Sequence, residues 1–506
     1  MASFSDLPLG WRIPDRVHAV SCSLPTMRAV RGYEEKDPAT VRQMASGYPR
    51  FVVHPLVRQL AVHLAAQHGL GGHTLWLTSS ARLADELLVH LGVAHAVRFV
   101  ADGVHGVAHP ESPELAGRAK TFLQNTGGFL SSREAEDRLV RLGALPAVAS
   151  EELFAGDARA EVQRVLQRAF PAAEPKDCFL CSCGINAVYS AFRSVAELQA
   201  ARGRTIWVQL GWLYLDTIAI LQKFVAVPSN DYVHVRDVFD HTALECLFAE
   251  KGDRIAGVIT EVPTNPLIQT PDVPWLAELV RQHGARLILD PSIASPFSVD
   301  LLPHADVVVA SLTKYTANEG DVIAGLAVVN PAAPDAVLLR RLLGARLEPI
   351  YPRELARLAA QIGRTEEVLA RIQANVPRVV AFLESRPEVR AVRWARHAAS
   401  RENFERVARA PGAVGSMVTF ELNQPVDAFY DAVRLPKGPS FGMITTLLCP
   451  FIQLAHYDLV TSEAGRAELA ASGLNPELLR LSVGTEPVEE IIAALAEALG
   501  ACPACP

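Results

Sequence analysis

What the chain lacks narrows it first. No stretch reaches the roughly 18 consecutive apolar residues that a membrane helix needs. The opening MASFSDLPLGWRIPDR has no basic region followed by an apolar one, so a secretory leader is not expected and the protein should stay in the cytoplasm. Cysteine is scarce, 8 in 506 residues, too few for a disulfide scaffold. Several of these cysteines (Cys178, Cys181, Cys183, Cys246) sit in apolar runs, where a reduced thiol packs as a small hydrophobe. Cys178-x-x-Cys181-x-Cys183 is followed by no His or fourth Cys at ligand spacing, so no metal is expected. Positive charge is not in excess: the net charge is −7, which gives no electrostatic reason to bind nucleic acid or an anionic membrane. Gly (32) and Pro (34) are near ordinary usage, which removes collagen-like and low-complexity readings. What remains is a chain 50% hydrophobic and 20% charged, long enough for two or three domains and suited to a small-molecule partner.

Residues 205 to 330 alternate short apolar runs with helical periodicity, the pattern of βαβ units around a parallel sheet. Thr205 to Leu210, Gly257 to Thr260, Arg286 to Leu289, Asp306 to Ala310 and Leu326 to Val329 read as strands covered on both faces. Asp177 to Ser182 reads as another, and Ile185, Val188, Phe192, Val195 and Leu198 mark a helix beginning at Gly184. Upstream, 56–66, 81–91 and 113–142 look helical, with strands at 74–77 and 97–100. Downstream, a long helical pattern from 352 to 385 leads to a strand at 416–422 and a closing helix after Pro487. The expected domains are 1–165, an arm with a small α/β insertion; 166–375, a sheet domain; and 376–506.

The most informative segment is Ala310-Ser-Leu-Thr-Lys-Tyr315, since Lys314 stands just past the carboxyl end of a buried strand, where open α/β sheets bind ligands. Asp290 ends another strand, read as two away in the same sheet, where an acid can hold a pyridine nitrogen protonated. Asn265, in Glu261-Val-Pro-Thr-Asn-Pro266, could meet a phenolic oxygen. Cys183-Gly184-Ile185 opens a helix after a strand, aiming backbone N–H groups at an anion such as phosphate, and Ser311 and Thr313 can add hydroxyls. Each feature alone is weak. Together they describe a pyridoxal 5'-phosphate site.

These blocks, with Ala294-Ser-Pro296 and Asp321-Val-Ile-Ala-Gly325, resemble the pyridoxal phosphate enzymes of cysteine and methionine metabolism. The whole chain, from about 18 to 499, is similar to the long cystathionine γ-synthases of fungi. Matching pieces include His18-Ala-Val-Ser-Cys-Ser-Leu-Pro25, Gly47-Tyr-Pro-Arg-Phe51, Tyr214-x-Asp-Thr217, Gly438-Pro-Ser440 and Leu479-Arg-Leu-Ser-Val-Gly484. The resemblance implies a type I aminotransferase-like α/β fold with a mostly parallel sheet, an N-terminal arm and a small C-terminal α/β domain. It implies that Lys314 carries the cofactor covalently, Asp290 pairs with the ring nitrogen and Asn265 with the ring oxygen. Cys183, Gly184, Ile185, Ser311 and Thr313 would hold the phosphate, together with Tyr48 and Arg50 from a neighbouring subunit. Ser440 and Arg480 would clamp the substrate α-carboxylate.

Three positions depart from the family pattern. Cys183 replaces a serine of the phosphate loop. Leu210 stands where an aromatic usually stacks on the ring, leaving Trp212 or Tyr214 to substitute or the ring to be held without stacking. Thr445 replaces a glutamate found in many γ-acting relatives. The expected reaction is γ-replacement on an O-acylated homoserine by a small thiol nucleophile. The alternatives are a β/γ-lyase acting on cystathionine or a related sulfur amino acid, γ-substitution by a carbon nucleophile, and last a regulatory protein that keeps the fold without turnover, against which Lys314, Asp290 and Arg480 together speak. A homodimer or homotetramer with shared sites is expected.

Overall fold

Strands rich in Val, Ile and Leu on both faces cannot stay exposed, and their burial organises the molecule. The computed structural model describes residues 4, 7–46 and 52–501. The chain begins with an arm in which β1 (Arg12–Ile13) pairs antiparallel with β2 (Ser21–Cys22). The helix Met27–Glu34 follows and buries Met27, Val30 and Tyr33 in the main core. The arm docks far along the chain: Leu24 N–H donates to the Lys437 carbonyl at 2.9 Å, Tyr430 Oη–H to the Leu24 carbonyl at 2.9 Å, and Met27 N–H to Asp431 Oδ1 at 2.7 Å.

An insertion comes next. Helix Pro55–Gln67, β3 (His73–Thr78), helix Ala81–Leu91, β4 (Val97–Ala101) and β5 (Val104–Pro110) are followed by helices Pro113–Thr126 and Ser132–Arg141. Its strands form an antiparallel sheet in the order β3-β5-β4, with two apolar clusters of its own. The helical stretch expected over 113–142 is two helices, divided where Gly127 turns left-handed at φ +68°. β5 escaped the sequence reading because His105, Gly106 and His109 interrupt its apolar run.

The central sheet contains β6 (Cys178–Cys181), β7 (Ile206–Leu210), β8 (Tyr232–Val235), β9 (Ile255–Glu261), β10 (Arg286–Asp290), β11 (Val307–Ser311) and β12 (Gly325–Val329). Their order is β6-β12-β11-β10-β9-β7-β8, with β12 antiparallel to both its neighbours and every other adjacent pair parallel. Helix Gly184–Ala200 covers one face of this sheet. Beyond it, helices Pro352–Ile362 and Thr365–Glu384 replace the single long pattern expected over 352–385. A second, antiparallel sheet follows, made of β13 (Val389–Trp394), β14 (Met417–Leu422), β15 (Leu447–Pro450) and β16 (Leu479–Ser482) in the order β13-β14-β16-β15. Helix Val488–Ala501 closes the description. The proposed division at 165/166 and 375/376 passes through two continuous helices, Ala158–Ala169 and Thr365–Glu384. Among the described residues no helix is long and apolar enough to cross a membrane.

Candidate active site

The parallel strands all present their carboxyl ends on one side, and there a cavity opens between the two sheets. Lys314 enters it from the turn after β11, only 4% exposed. Its Nζ donates to Ser440 Oγ at 2.6 Å and lies 4.8 Å from the centre of the Phe441 ring. Ser440 itself is held at φ +90°, a conformation costly for any residue but glycine, and Tyr315 beside the lysine sits at φ +59°. Such strain persists where surrounding structure over-determines it, here through the Tyr315 N–H bond to the Gly442 carbonyl at 2.8 Å.

Asp290 closes β10 and accepts from the Ser292 N–H at 2.8 Å. Burial pushes its carboxyl up to about 6. The sequence reading put its strand two away from the lysine strand. β10 and β11 are adjacent, pairing Ile288 with Val307, because successive strands of a parallel sheet tend to be neighbours.

Cys183 stands in extended conformation, φ −166°, before helix Gly184–Ala200, and its Sγ turns toward the Gly127 carbonyl at 3.8 Å. A Cβ placed on Gly184 would lie 2.8 Å from Ser311 Cβ, so only glycine lets the helix start approach β11 this closely. Ile185, Ser311 and Thr313 also line the cavity, although the Thr313 hydroxyl already accepts the Ala324 N–H at 3.2 Å. Of the two aromatics considered, Tyr214 lines the cavity, whereas Trp212 is buried in a cluster with Phe451 and Leu469 and donates to His456 Nε2 at 3.2 Å. Leu210 and Thr445 are not among the described lining residues.

Arg480 projects from β16, 6% exposed. Its Nη1 donates to Asn265 Oδ1 at 3.3 Å and its Nη2 to the Ser440 carbonyl at 3.4 Å. Its guanidinium carbon lies 4.3 Å from the Phe451 ring centre and 5.5 Å from that of Phe441. Aromatic faces attract the cation while leaving its N–H edge for a carboxylate. All eleven expected site residues within the described chain therefore line one cavity; Tyr48 and Arg50 lie outside the described residues.

Sequence reasoning missed Glu261 and the two phenylalanines. Glu261 is the last residue of β9, 3% exposed, and its Oε1 accepts the Tyr214 N–H at 2.5 Å. Its Oε2 has no hydrogen-bond partner, and burial together with the nearby Asp290 charge raises its carboxyl well above the usual range. The signal was there: a carboxylate ending a strand buried along its whole length is rare unless it has a task.

A buried lysine, a strand-end acid and a helix start facing the same cavity are the groups that a pyridoxal phosphate-dependent enzyme of the aminotransferase-like fold needs in one place. A sequence profile described as Cys/Met metabolism PLP-dependent enzyme matches residues 160–500, and the chain belongs to that family. It is 40% identical, over 95% of both chains, to the L-2-amino-4-chloropent-4-enoate dechlorinase/desaturase of Streptantibioticus cattleyicolor. It is 26% identical to the cystathionine γ-synthase of Neurospora crassa, covering 97% of this chain and 98% of that one. Among solved structures it resembles the cystathionine γ-synthase of Xanthomonas oryzae pv. oryzae in complex with aminoacrylate and cysteine, with a TM-score of 0.58 at 22% identity over 68% of this chain and 86% of that one. The protein is thus a pyridoxal phosphate-dependent enzyme. The residues fit that cofactor: the buried Asp290 carboxyl suits a cationic ring nitrogen, and the start of helix Gly184–Ala200, which lines the cavity beside Ser311, suits a phosphate.

Proposed function

We propose that this enzyme eliminates a γ-substituent from an α-amino acid with an uncharged side chain, without capture by a second amino acid. One observation carries the reading. Among the described lining residues the only cations are Lys314 and Arg480 and the only carboxylates Glu261 and Asp290; most of the remaining wall is apolar, including Ile185, Val188, Leu215, Phe451 and Leu454. One guanidinium serves one carboxylate, so a nucleophile such as cysteine, with its own ammonium and carboxylate, would leave charges unpaired in an apolar wall. The 40% identity to a dechlorinase/desaturase supports the same direction.

In this reading Arg480 and Ser440 hold the α-carboxylate, and the two phenyl rings exclude water from the guanidinium. Gly184, Ile185, Cys183, Ser311 and Thr313 would seat the phosphate, Asn265 would pair with the ring oxygen, and Asp290 would keep the ring nitrogen protonated. When bound, the cofactor supplies a ring that accepts the electron pair left at Cα. Lys314 Nζ, oriented by Ser440 Oγ, would take the Cα proton, release it and then take a Cβ proton, so that the γ-substituent can leave with its bonding electron pair. The second reading is γ-replacement on an O-acylated homoserine by a thiol, favoured by the end-to-end similarity to a fungal cystathionine γ-synthase. A cytoplasmic location belongs to both.

Incubating the enzyme with 2-amino-4-chloropent-4-enoate and with O-acetyl-, O-succinyl- and O-phosphohomoserine, each with and without cysteine, separates the two. Elimination predicts chloride release at a rate independent of thiol and faster than turnover of any ester. A thioether product formed only with cysteine, from an acylated homoserine, would replace it with the second reading.

A further inference from the structure

The insertion lends no side chain to the cavity: none of the described lining residues lies between 52 and 150. It nevertheless grips the first turn of helix Gly184–Ala200 from behind. Asn186, fully buried, donates through Nδ2 to the Thr126 carbonyl at 2.9 Å and accepts the Glu348 N–H at Oδ1, 2.8 Å. Ser182 Oγ donates to the Gly127 carbonyl at 3.2 Å, and Ser182 N–H to the Glu348 carbonyl at 2.9 Å. The Glu348 carboxylate, 1% exposed, is held in turn by Ser79 Oγ (2.6 Å), Ser80 Oγ (3.0 Å) and Arg82 Nη2 (2.5 Å), all from the insertion. The packing leaves no slack: a Cβ on Gly127 would stand 2.6 Å from Cys183 Sγ and 2.8 Å from Asn186 N. The carbonyl end of one helix thus abuts the amide end of another.

A helix start binds an anion only if its N–H groups are fixed where the anion will sit, because groups ordered at the moment of binding pay for that ordering out of affinity. We propose that the insertion is a positioning element for the cofactor's phosphate: through Asn186, Gly127 and Glu348 it holds residues 182–186 in the phosphate-binding arrangement. This rests on the cradle assignment and is independent of the reaction proposed above.

Pyridoxal shares the ring and aldehyde of pyridoxal phosphate and lacks only the phosphate, so the ratio of the two affinities isolates the cradle from general loss of structure. Cofactor-free wild type, Asn186→Ala and Arg82→Gln are titrated with each compound by absorbance, with circular dichroism melting run alongside. Asn186→Ala should weaken pyridoxal phosphate at least tenfold and pyridoxal less than twofold. Arg82→Gln, at a partly exposed position away from the cavity, should lower the ratio about threefold and decides the matter by itself if Asn186→Ala does not fold. Equal weakening of both compounds, or no change in either, overturns the proposal. A wild type that does not prefer the phosphorylated compound overturns the cradle itself.

Discussion

Arg480 is fixed by antiparallel pairing opposite Cys449, by two weak hydrogen bonds and by two phenyl rings, so its guanidinium has one orientation to offer. A lysine keeps the charge but not the planar pair of donors. Arg480→Lys should leave cofactor content unchanged and lower kcat/KM by about 2–4 kcal/mol, roughly 30- to 1000-fold, measured in steady state with any accepted amino acid. Asp290 gives a pH prediction. Its carboxyl is at about 6 in the folded protein, above the roughly 3.9 of an unfolded chain. The raised value contributes stability to the cofactor-free protein that is complete below about pH 4 and lost as pH rises through 6. A ring cation beside the carboxylate cancels that loss, so the melting-temperature gap between loaded and cofactor-free protein should widen from pH 5 to 7.5. Asp290→Asn should flatten it; a gap independent of pH in the wild type would sever Asp290 from the ring nitrogen. Lys314, Asp290 and Asn265 were legible as residues because each follows a run of apolar strand residues that has no local use for it. Phe441 and Phe451 were not, since an aromatic near a buried strand reads equally well as core.

At the scale of elements, the strand ends and the helix starting at Gly184 were legible because period and punctuation agreed: Val and Ile runs, then glycine or a polar turn. The antiparallel sheet was mostly invisible to that reasoning. β15 and β16 contain only four residues each, and what places Arg480 of β16 in the wall of the site is the pairing of that strand with β14 on one side and β15 on the other. Helix breaks were lost for a similar reason, since the residues on either side of Gly127 and Gly363 continue the apolar period. The meeting of helix Gly184–Ala200 with β11 carries a prediction of its own. Gly184→Ala drives a methyl to 2.8 Å from Ser311 Cβ and 3.0 Å from its Cα, which the backbone must absorb. Overpacking of this kind costs about 1–3 kcal/mol. The purified variant should melt earlier and carry little cofactor, read as pyridoxal phosphate per subunit; full cofactor content would move the phosphate away from this helix start.

For the whole molecule, the sequence reading assigned part of each site to a neighbouring subunit through Tyr48 and Arg50. If that holds, a mixture of inactive Arg50→Ala and inactive Lys314→Ala chains should recover activity, because mixed dimers contain one site free of both changes. Verified heterodimers without activity would mean that each site is built from one chain. The position of the arm also sets an order of events during synthesis. Met27, Val30 and Tyr33 belong to the main core, yet the groups that anchor their segment, Tyr430, Asp431 and Lys437, leave the ribosome some four hundred residues later, roughly 20–80 s at 5–20 residues per second. The insertion, with two apolar clusters of its own, can fold within that interval. The arm helix cannot find its seat, so the nascent chain carries an uncovered apolar surface through most of its translation, and any ribosome that stalls before residue 430 releases a product with that surface still bare.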